Sequence, residues 1–260
     1  MLISLVSLLA VAVVANVIVF YIAYKQQTDK LTDITYSATF VLLATLSLLI
    51  GQGFQDSGNI IIALLVIIWG VRLGSFLLLR IKKMGHDSRF DKIRPNKSRF
   101  FRFFLIQGFG AWLISLPMMI RLLKGSSSEM LEGQLLVERV GIAVAVIGLM
   151  IEVIADQQKS TFKSTRENES KLYTGGLYSF VRYPNYLGEI LFWIGIFIAS
   201  SIVFQGVEWA SIIGPLCISY LLLFLSGIPF IERSRKEKYG EDESYQKYQS
   251  STAKIIPWIY

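Results

Sequence analysis

Seven apolar stretches, most of them close to a bilayer's thickness, constrain what this chain can fold into. They lie at 2–23, 35–52, 58–79, 101–120, 137–156, 186–204 and 209–231. About 20 apolar residues carry a helix across the hydrocarbon core. Lipid admits only helices or closed barrels, because every backbone polar group must be bonded internally. None of the stretches alternates apolar with polar residues as a barrel strand does. The sequence therefore predicts an all-α, polytopic membrane bundle of about seven transmembrane helices. Composition agrees: 53% of residues are hydrophobic and 17% charged, too little charge for an ordinary soluble domain. The first stretch reads as a retained helix rather than a secretory signal. It lacks a basic leader, its apolar run is too long, and Ala23-Tyr24-Lys25 is a poor cleavage site.

The loops orient the bundle. Of 26 Lys and Arg residues, 22 fall on one side of the predicted spans. They are Lys25 and Lys30, nine residues between 80 and 102, five between 159 and 182, and six from 233 onward. Arg121, Lys124 and Arg139 fall on the other side, and Arg72 lies inside the third span. This asymmetry predicts an N-terminus outside and a C-terminus in the cytoplasm. The net charge of +7 then belongs to the membrane's inner face, and nucleic acid is not an expected partner. A single cysteine, Cys217, excludes an intramolecular disulfide, and a single histidine, His86, excludes a histidine metal triad. Residues 1–57 read as an N-terminal helical region in which Asp29, Asp33 and Gln52 are as readily interfacial groups as anything else. Residues 58–260 carry the features that point to chemistry.

Ionisable groups inside spans are costly and mark cavities or partners. Here they gather in the second half. Glu152, Asp156, Lys159 and Lys163 follow helical spacing and form one stripe. Local ion pairing at an emerging helix end and a wall of a ligand site both account for it. Gly175-Gly176 then supplies a turn, and Pro184 starts the sixth span. Arg182 stands at that start, with Asn185 and Glu189 one turn apart on one face. An arginine, helix-start amides and a carboxamide suit a phosphate- or carboxylate-bearing ligand. A belt of interfacial tyrosines with one snorkelling arginine is the competing reading. The tail, with Tyr239, Tyr245 and Tyr248, is either a lipid-facing amphipathic segment or a flap folded over the cavity mouth.

At these residues the chain resembles the DUF1295 branch of the membrane family that contains steroid 5-alpha-reductases. The carrying segments are Ala155-Asp156-Gln-Gln158-Lys159 with Phe162, and Thr174-Gly-Gly-Leu-Tyr-Ser-Phe-Val-Arg-Tyr-Pro-Asn-Tyr-Leu-Gly-Glu189. Ser226-Gly-Ile-Pro229 with Glu232, Tyr239-Gly240 with Tyr245 and Tyr248, and Ile256-Pro257 complete the second half. Upstream, Trp69-Gly-Val-Arg72-Leu73 with Arg80, Gly85 with Asp87 and Arg89-Phe90, and Gln107 with Trp112 and Ser115-Leu-Pro117 are also similar, so the resemblance covers roughly 60–260.

The resemblance implies a helical membrane enzyme that binds NADPH in its second half and reduces a carbon–carbon double bond of a lipid. Carried over residue by residue, Asp156, Arg182, Asn185, Tyr186, Glu189, Tyr239 and Tyr245 line the nucleotide site; Lys163 is a candidate phosphate contact by its own position and charge. Tyr186, Glu189 and Tyr36 are candidate proton donors. Glu152, Trp69 and Arg72 belong to the cavity. The branch usually carries histidine at Tyr183; a phenol donates a hydrogen bond but brings no positive charge. The steroid reductases place a tyrosine where this chain has Trp69, so a steroid enone is not a secure substrate. The same half is similar to membrane methyltransferases that use S-adenosylmethionine, which keeps that cofactor as an alternative. A transporter is a third reading, because midplane polar groups also mark transport paths. The cofactor site is expected to face the cytoplasm, with the bilayer and an apolar lipid substrate as partners; oligomeric state is not legible.

Overall fold

A computed structural model describes residues 1–260 except 52, 53, 55, 86, 126–130, 169 and 257–260. Gln52, His86 and Pro257 therefore lie outside the described residues. Nine α-helices appear among those described: α1 (Leu2–Lys25), α2 (Thr32–Ile50), α3 (Ser57–Met84), α4 (Lys97–Lys124), α5 (Glu132–Phe162), α6 (Pro184–Ser200), α7 (Ile213–Tyr220), α8 (Ile228–Tyr239) and α9 (Glu243–Ser251). No strand occurs among the described residues; one isolated parallel bridge joins Val181 to Ala253.

Six stretches are long and apolar enough to cross a membrane: α1, α2, α3, α4, Pro184–Val203 and Gly206–Tyr239. The predicted span at 137–156 lies within α5, a 31-residue helix outside that set of six. The predicted span at 209–231 is not one continuous helix. A 3-10 turn at Gly206–Ile212 leads into α7, a π turn follows at Leu221–Leu225, and α8 restarts after Ser226-Gly227. Pro229 in the first turn of α8 explains the restart, since proline fits a helix start but not a helix interior.

The exposure pattern of α1 is inverted relative to a helix in water. Leu2, Ile3, Val6, Val14 and Ile18 of α1 are exposed while Asn16 on the same helix is fully buried. That arrangement suits a hydrocarbon surround, where apolar surface is free to face outward and polar groups need internal partners.

The chain divides into two compact units, residues 1–139 with 196–214, and residues 140–195 with 215–260. In the first, α1 packs on α4, and α2 on α3 and α4. Phe20 from α1 meets Phe100 and Phe104 from α4 edge-on at 6.0 Å. Asn16 donates to the Thr39 hydroxyl at 2.9 Å and accepts from Gln107 at 3.0 Å, tying three helices together. Asp29 and Asp33 are ion-pair partners: Arg94 reaches Asp29 at 2.7 Å and Arg80 reaches Asp33 at 2.9 Å.

Arg121 departs from the sequence reading most. It is not a loop charge: it sits within α4, fully buried, with Nη2 at 2.6 Å from both Asp56 and Glu138. Asp56 also caps α3 by accepting from the Gly58 amide at 2.9 Å. Breaking a buried ion pair from one side strands the partner charges and costs about 3–5 kcal/mol. Arg121→Leu is therefore expected to lower unfolding stability in detergent by about that amount. A loss below about 0.5 kcal/mol, the scale of ordinary surface substitutions, would contradict the assignment.

In the second unit α5 and α6 approach to backbone contact. A Cβ on Gly188 would stand 2.6 Å from both the Glu152 amide nitrogen and the Gly148 carbonyl oxygen. A Cβ on Gly148 would stand 2.6 Å from the Gly188 oxygen. Small residues at such a crossing let two membrane helices touch along their backbones. This crossing sets the Glu152–Asp156 stripe of α5 beside the start of α6.

Candidate functional site

The stripe on α5 faces inward. Glu152 and Asp156 are buried, and Lys159 and Lys163 are half-buried. After α5 the chain returns through Gly176, whose φ of +55° is a conformation that glycine adopts freely and side chains resist. A Cβ there would also collide with the Gln158 carboxamide. That carboxamide accepts from the Leu177 amide at 3.0 Å, fixing the turn that carries Tyr178 and Arg182.

Arg182 is buried just ahead of Pro184, and its Nη1 donates to Glu232 Oε1 of α8 at 2.7 Å. The Tyr183 hydroxyl donates to the same oxygen at 2.6 Å, and Gln249 of α9 donates to Oε2 at 3.0 Å. Arg235, one turn beyond Glu232, stands over the Tyr183 ring at 4.8 Å, a cation–π contact. Tyr183 and Tyr186 stack at 6.0 Å with 14° between their planes. Tyr183 is thus a buried tyrosine that holds Glu232 through its hydroxyl and Arg235 through its ring.

The tail folds back on this segment. Ala253 and Lys254 carbonyls accept from the Arg182 and Tyr183 amides at 2.8 and 3.1 Å. The Tyr248 hydroxyl donates to the Tyr178 carbonyl at 2.7 Å. Ile255 packs with Tyr183 and Ile228 in a small apolar cluster. Tyr239 lies beside Tyr245 at 6.1 Å, and its hydroxyl donates to the Ser170 carbonyl at 2.5 Å.

Four buried donors in this region have no hydrogen-bond partner among the described residues: Tyr178 Oη, Tyr245 Oη, Arg182 Nε and Arg235 Nη1. Native proteins rarely leave buried polar atoms in that state. Burial, with Asp156 nearby, pushes the Tyr178 hydroxyl well above the ordinary phenol range, although Arg235 opposes it. Burial raises Tyr183 and Tyr245 as well, and pushes Tyr248 up to about 12. All four phenols are therefore protonated at neutral pH and able to donate. Asn185, in the first turn of α6, is half-buried; Tyr186 is half-buried beside it and Glu189 is buried one turn on.

The structure thus gathers Asp156, Arg182, Tyr186 and Tyr245 around Tyr178, Tyr183 and Arg235. Glu152 and Glu189 flank Gly188 at the α5–α6 crossing. Lys163 closes the α5 stripe near the helix end. Trp69 and Arg72 belong to the other unit. Trp69 is fully buried there, edge-on to Phe40 at 5.1 Å, and Arg72 is half-buried. The sequence reading missed Tyr178 and Arg235, and the bracing roles of Glu232, Tyr183 and Gln249. The spacing of Glu232 and Arg235, one helical turn apart after Pro229, was the available signal.

The donor set fits a polyanionic nucleotide. Two arginines and two phenols offer buried donors without a partner among the described residues, and arginine and hydroxyl donors are what phosphate oxygens require. The comparisons with known proteins give relatives of two kinds. A probable O-methyltransferase from Ustilaginoidea virens is 34% identical over 70 residues, covering 27% of this chain and 25% of that protein. The 3-oxo-5-alpha-steroid 4-dehydrogenase 1 of Rattus norvegicus is 27% identical over 119 residues, covering 46% of this chain and 40% of that protein. Its Bos taurus counterpart is 30% identical over the same length, with 41% of that protein covered. The chain thus matches well under half the length of these relatives. No solved structure matches. The family model described as a protein of unknown function, DUF1295, matches residues 19–252, and the chain belongs to that family.

Proposed function

We propose that this chain is an integral-membrane reductase that binds NADPH at the Arg182–Glu232 site and reduces a carbon–carbon double bond of an apolar lipid. The observation that carries the reading is the set of buried, unpartnered donors on Tyr178, Arg182, Arg235 and Tyr245. A polyanion with hydroxyls would satisfy them, whereas a purely apolar ligand would leave each one desolvated at about 1–3 kcal/mol.

In this reading Arg182 and Arg235 hold phosphate charge, and Lys163 adds to it at the cytoplasmic mouth. Tyr245 and Tyr239 flank the nucleotide, and Tyr178 donates a hydrogen bond toward it. Asp156 accepts from ribose hydroxyls or the amide of the base. Asn185 and Glu189 position the reacting ring one turn deeper. NADPH held by these residues would supply a hydride equivalent to one carbon of the double bond. Tyr186 or Glu189 delivers the proton to the neighbouring carbon, which requires a donor kept protonated away from bulk water. The substrate arrives from the lipid side, so its apolar body never crosses water.

The methyltransferase reading keeps one specific support, the 34% identity to a probable O-methyltransferase over 70 residues. One experiment separates the two: unfolding midpoints of the detergent-solubilised protein with NADPH and with S-adenosylmethionine, since a ligand of the folded state raises apparent stability. NADPH is expected to raise the midpoint and S-adenosylmethionine to leave it unchanged; the reverse replaces the reductase with a methyltransferase. Arg182→Ala is expected to weaken NADPH binding about tenfold or more, the size of a lost hydrogen bond to a charged group, and Asn185→Ala by about two- to tenfold, the size of a neutral one. Asn185 takes no part in the Glu232 network, so its variant reads binding without that brace. Unchanged binding in both variants would mean that the nucleotide sits elsewhere.

A further inference from the structure

The first unit has a shallow, open surface cavity of about 340 Å³ lined by Phe20, Tyr21, Lys97, Ser98 and Phe101. It lies between the last turns of α1 and the first turn of α4, at the end of the unit where these helices leave their apolar stretches. Its composition is divided. Phe20 forms a buried aromatic floor with Phe100 and Phe104, and Tyr21 is 59% exposed beside it. The rim is cationic and hydroxylic. Lys97 and Ser98 are exposed, and Arg102 donates to the Ser98 hydroxyl at 3.2 Å.

The charge around this rim is unbalanced. Residues 24–34 and 80–102 hold eleven Lys and Arg side chains against four acids, all aspartates. Those acids are engaged: Asp29 and Asp91 by Arg94, Asp33 by Arg80, and Asp87 by Arg89. Lys25, Lys97, Arg99 and Arg102 form no ion pair with another described residue. An apolar slot that opens beneath unbalanced cations matches an amphiphile with a hydrocarbon tail and a negative head. In a membrane-spanning chain the abundant compound of that kind is an anionic phospholipid.

We propose that this cavity binds one anionic phospholipid, its phosphate held by Lys97, Ser98 and Arg102 and the start of an acyl chain laid against Phe20, Tyr21 and Phe101. The site is independent of the nucleotide site, which lies wholly in the other unit. Its role is to fasten the α1–α4 pair to the charged leaflet.

The test uses the full chain in detergent with an equal mixture of phosphatidylglycerol and phosphatidylcholine, and native mass spectrometry reads which lipid is retained. One phosphatidylglycerol is expected to be retained in preference. Lys97→Glu with Arg102→Glu is expected to reduce that preference about tenfold or more, because each basic residue near anionic lipid contributes about fivefold. Lys82→Glu with Lys83→Glu changes the same charge at the same end away from the cavity and is expected to keep the preference. Lys97→Gln is the milder arm, expected to lower the preference about fivefold should the double reversal fail to fold. Equal retention of both lipids overturns the proposal. So does an equal loss in the Lys82/Lys83 variant, which would mean diffuse attraction. Displacement by inorganic phosphate at concentrations comparable to the lipid would assign the rim to free phosphate and also overturn it.

Discussion

Glu232→Ala is expected to be among the most damaging single substitutions in the second unit, lowering unfolding stability by about 3–5 kcal/mol. The reason is convergence. One carboxylate accepts from Arg182 at 2.7 Å, from Tyr183 at 2.6 Å and from Gln249 at 3.0 Å. Removing it leaves the Arg182 guanidinium, whose side chain is 7% exposed, without its counterion, and leaves a buried phenol without an acceptor. Arg182 already has an unpartnered Nε, so the loss falls on a group with nothing in reserve. Glu232→Gln keeps an acceptor oxygen and removes the charge; it is expected to lose less than half as much. Glu237 is the matched control. It sits on the same helix and pairs with Arg233 at 3.1 Å, but the two side chains are 67% and 82% exposed. Exposed pairs contribute between zero and about 1 kcal/mol, so Glu237→Ala is expected to be nearly silent. Chemical unfolding in detergent, followed by helical signal, checks the series. Equal effects at Glu232 and Glu237 would remove the brace from the account of the site.

The same network shows what a sequence can disclose here. The helices were legible because a span must be about 20 apolar residues long and internally bonded. The inward stripe of Glu152 and Asp156 was legible because helical spacing aligns 152, 156, 159 and 163. The start of α6 was legible because proline at a helix start is unambiguous. Arg121 misled because a charged residue at the edge of an apolar run looks like a loop; its partners, Asp56 and Glu138, lie 65 and 17 residues away. The break in the last span was hidden because the apolar content runs unbroken through α7 and the π turn, and apolarity reports solvent rather than hydrogen-bond pattern. Tyr183 stood out only because the resemblance implies histidine there. Its partners come from α8, 49 residues on, and a tertiary pairing of that separation leaves no local period to read.

The α5–α6 crossing supplies the second large effect, and here two opposing magnitudes decide the sign. Glycine inside a helix is unfavourable relative to alanine by about 1 kcal/mol, so propensity alone predicts that Gly188→Ala stabilises. Gly110 of α4, around which an added Cβ meets nothing within 4 Å, is expected to show that gain. At Gly188 the added Cβ would stand 2.6 Å from two backbone atoms of α5, the Glu152 nitrogen and the Gly148 oxygen. Backbone cannot rotate aside as a flexible side chain does, so the helices must separate. Overpacking of a tight core costs about 1–3 kcal/mol, and a crossing held by backbone proximity lies at the upper end of that range. Gly188→Ala is therefore expected to destabilise by about 1–2 kcal/mol net, the overpacking cost exceeding the propensity gain. Gly188→Val is expected to prevent assembly of the second unit. Separation would also shift Glu152 and Asp156 away from the start of α6, so nucleotide binding is expected to fall in Gly188→Ala even where the protein remains folded. A Gly188→Ala protein as stable as the parent, binding NADPH equally well, would show that the two helices do not depend on this contact.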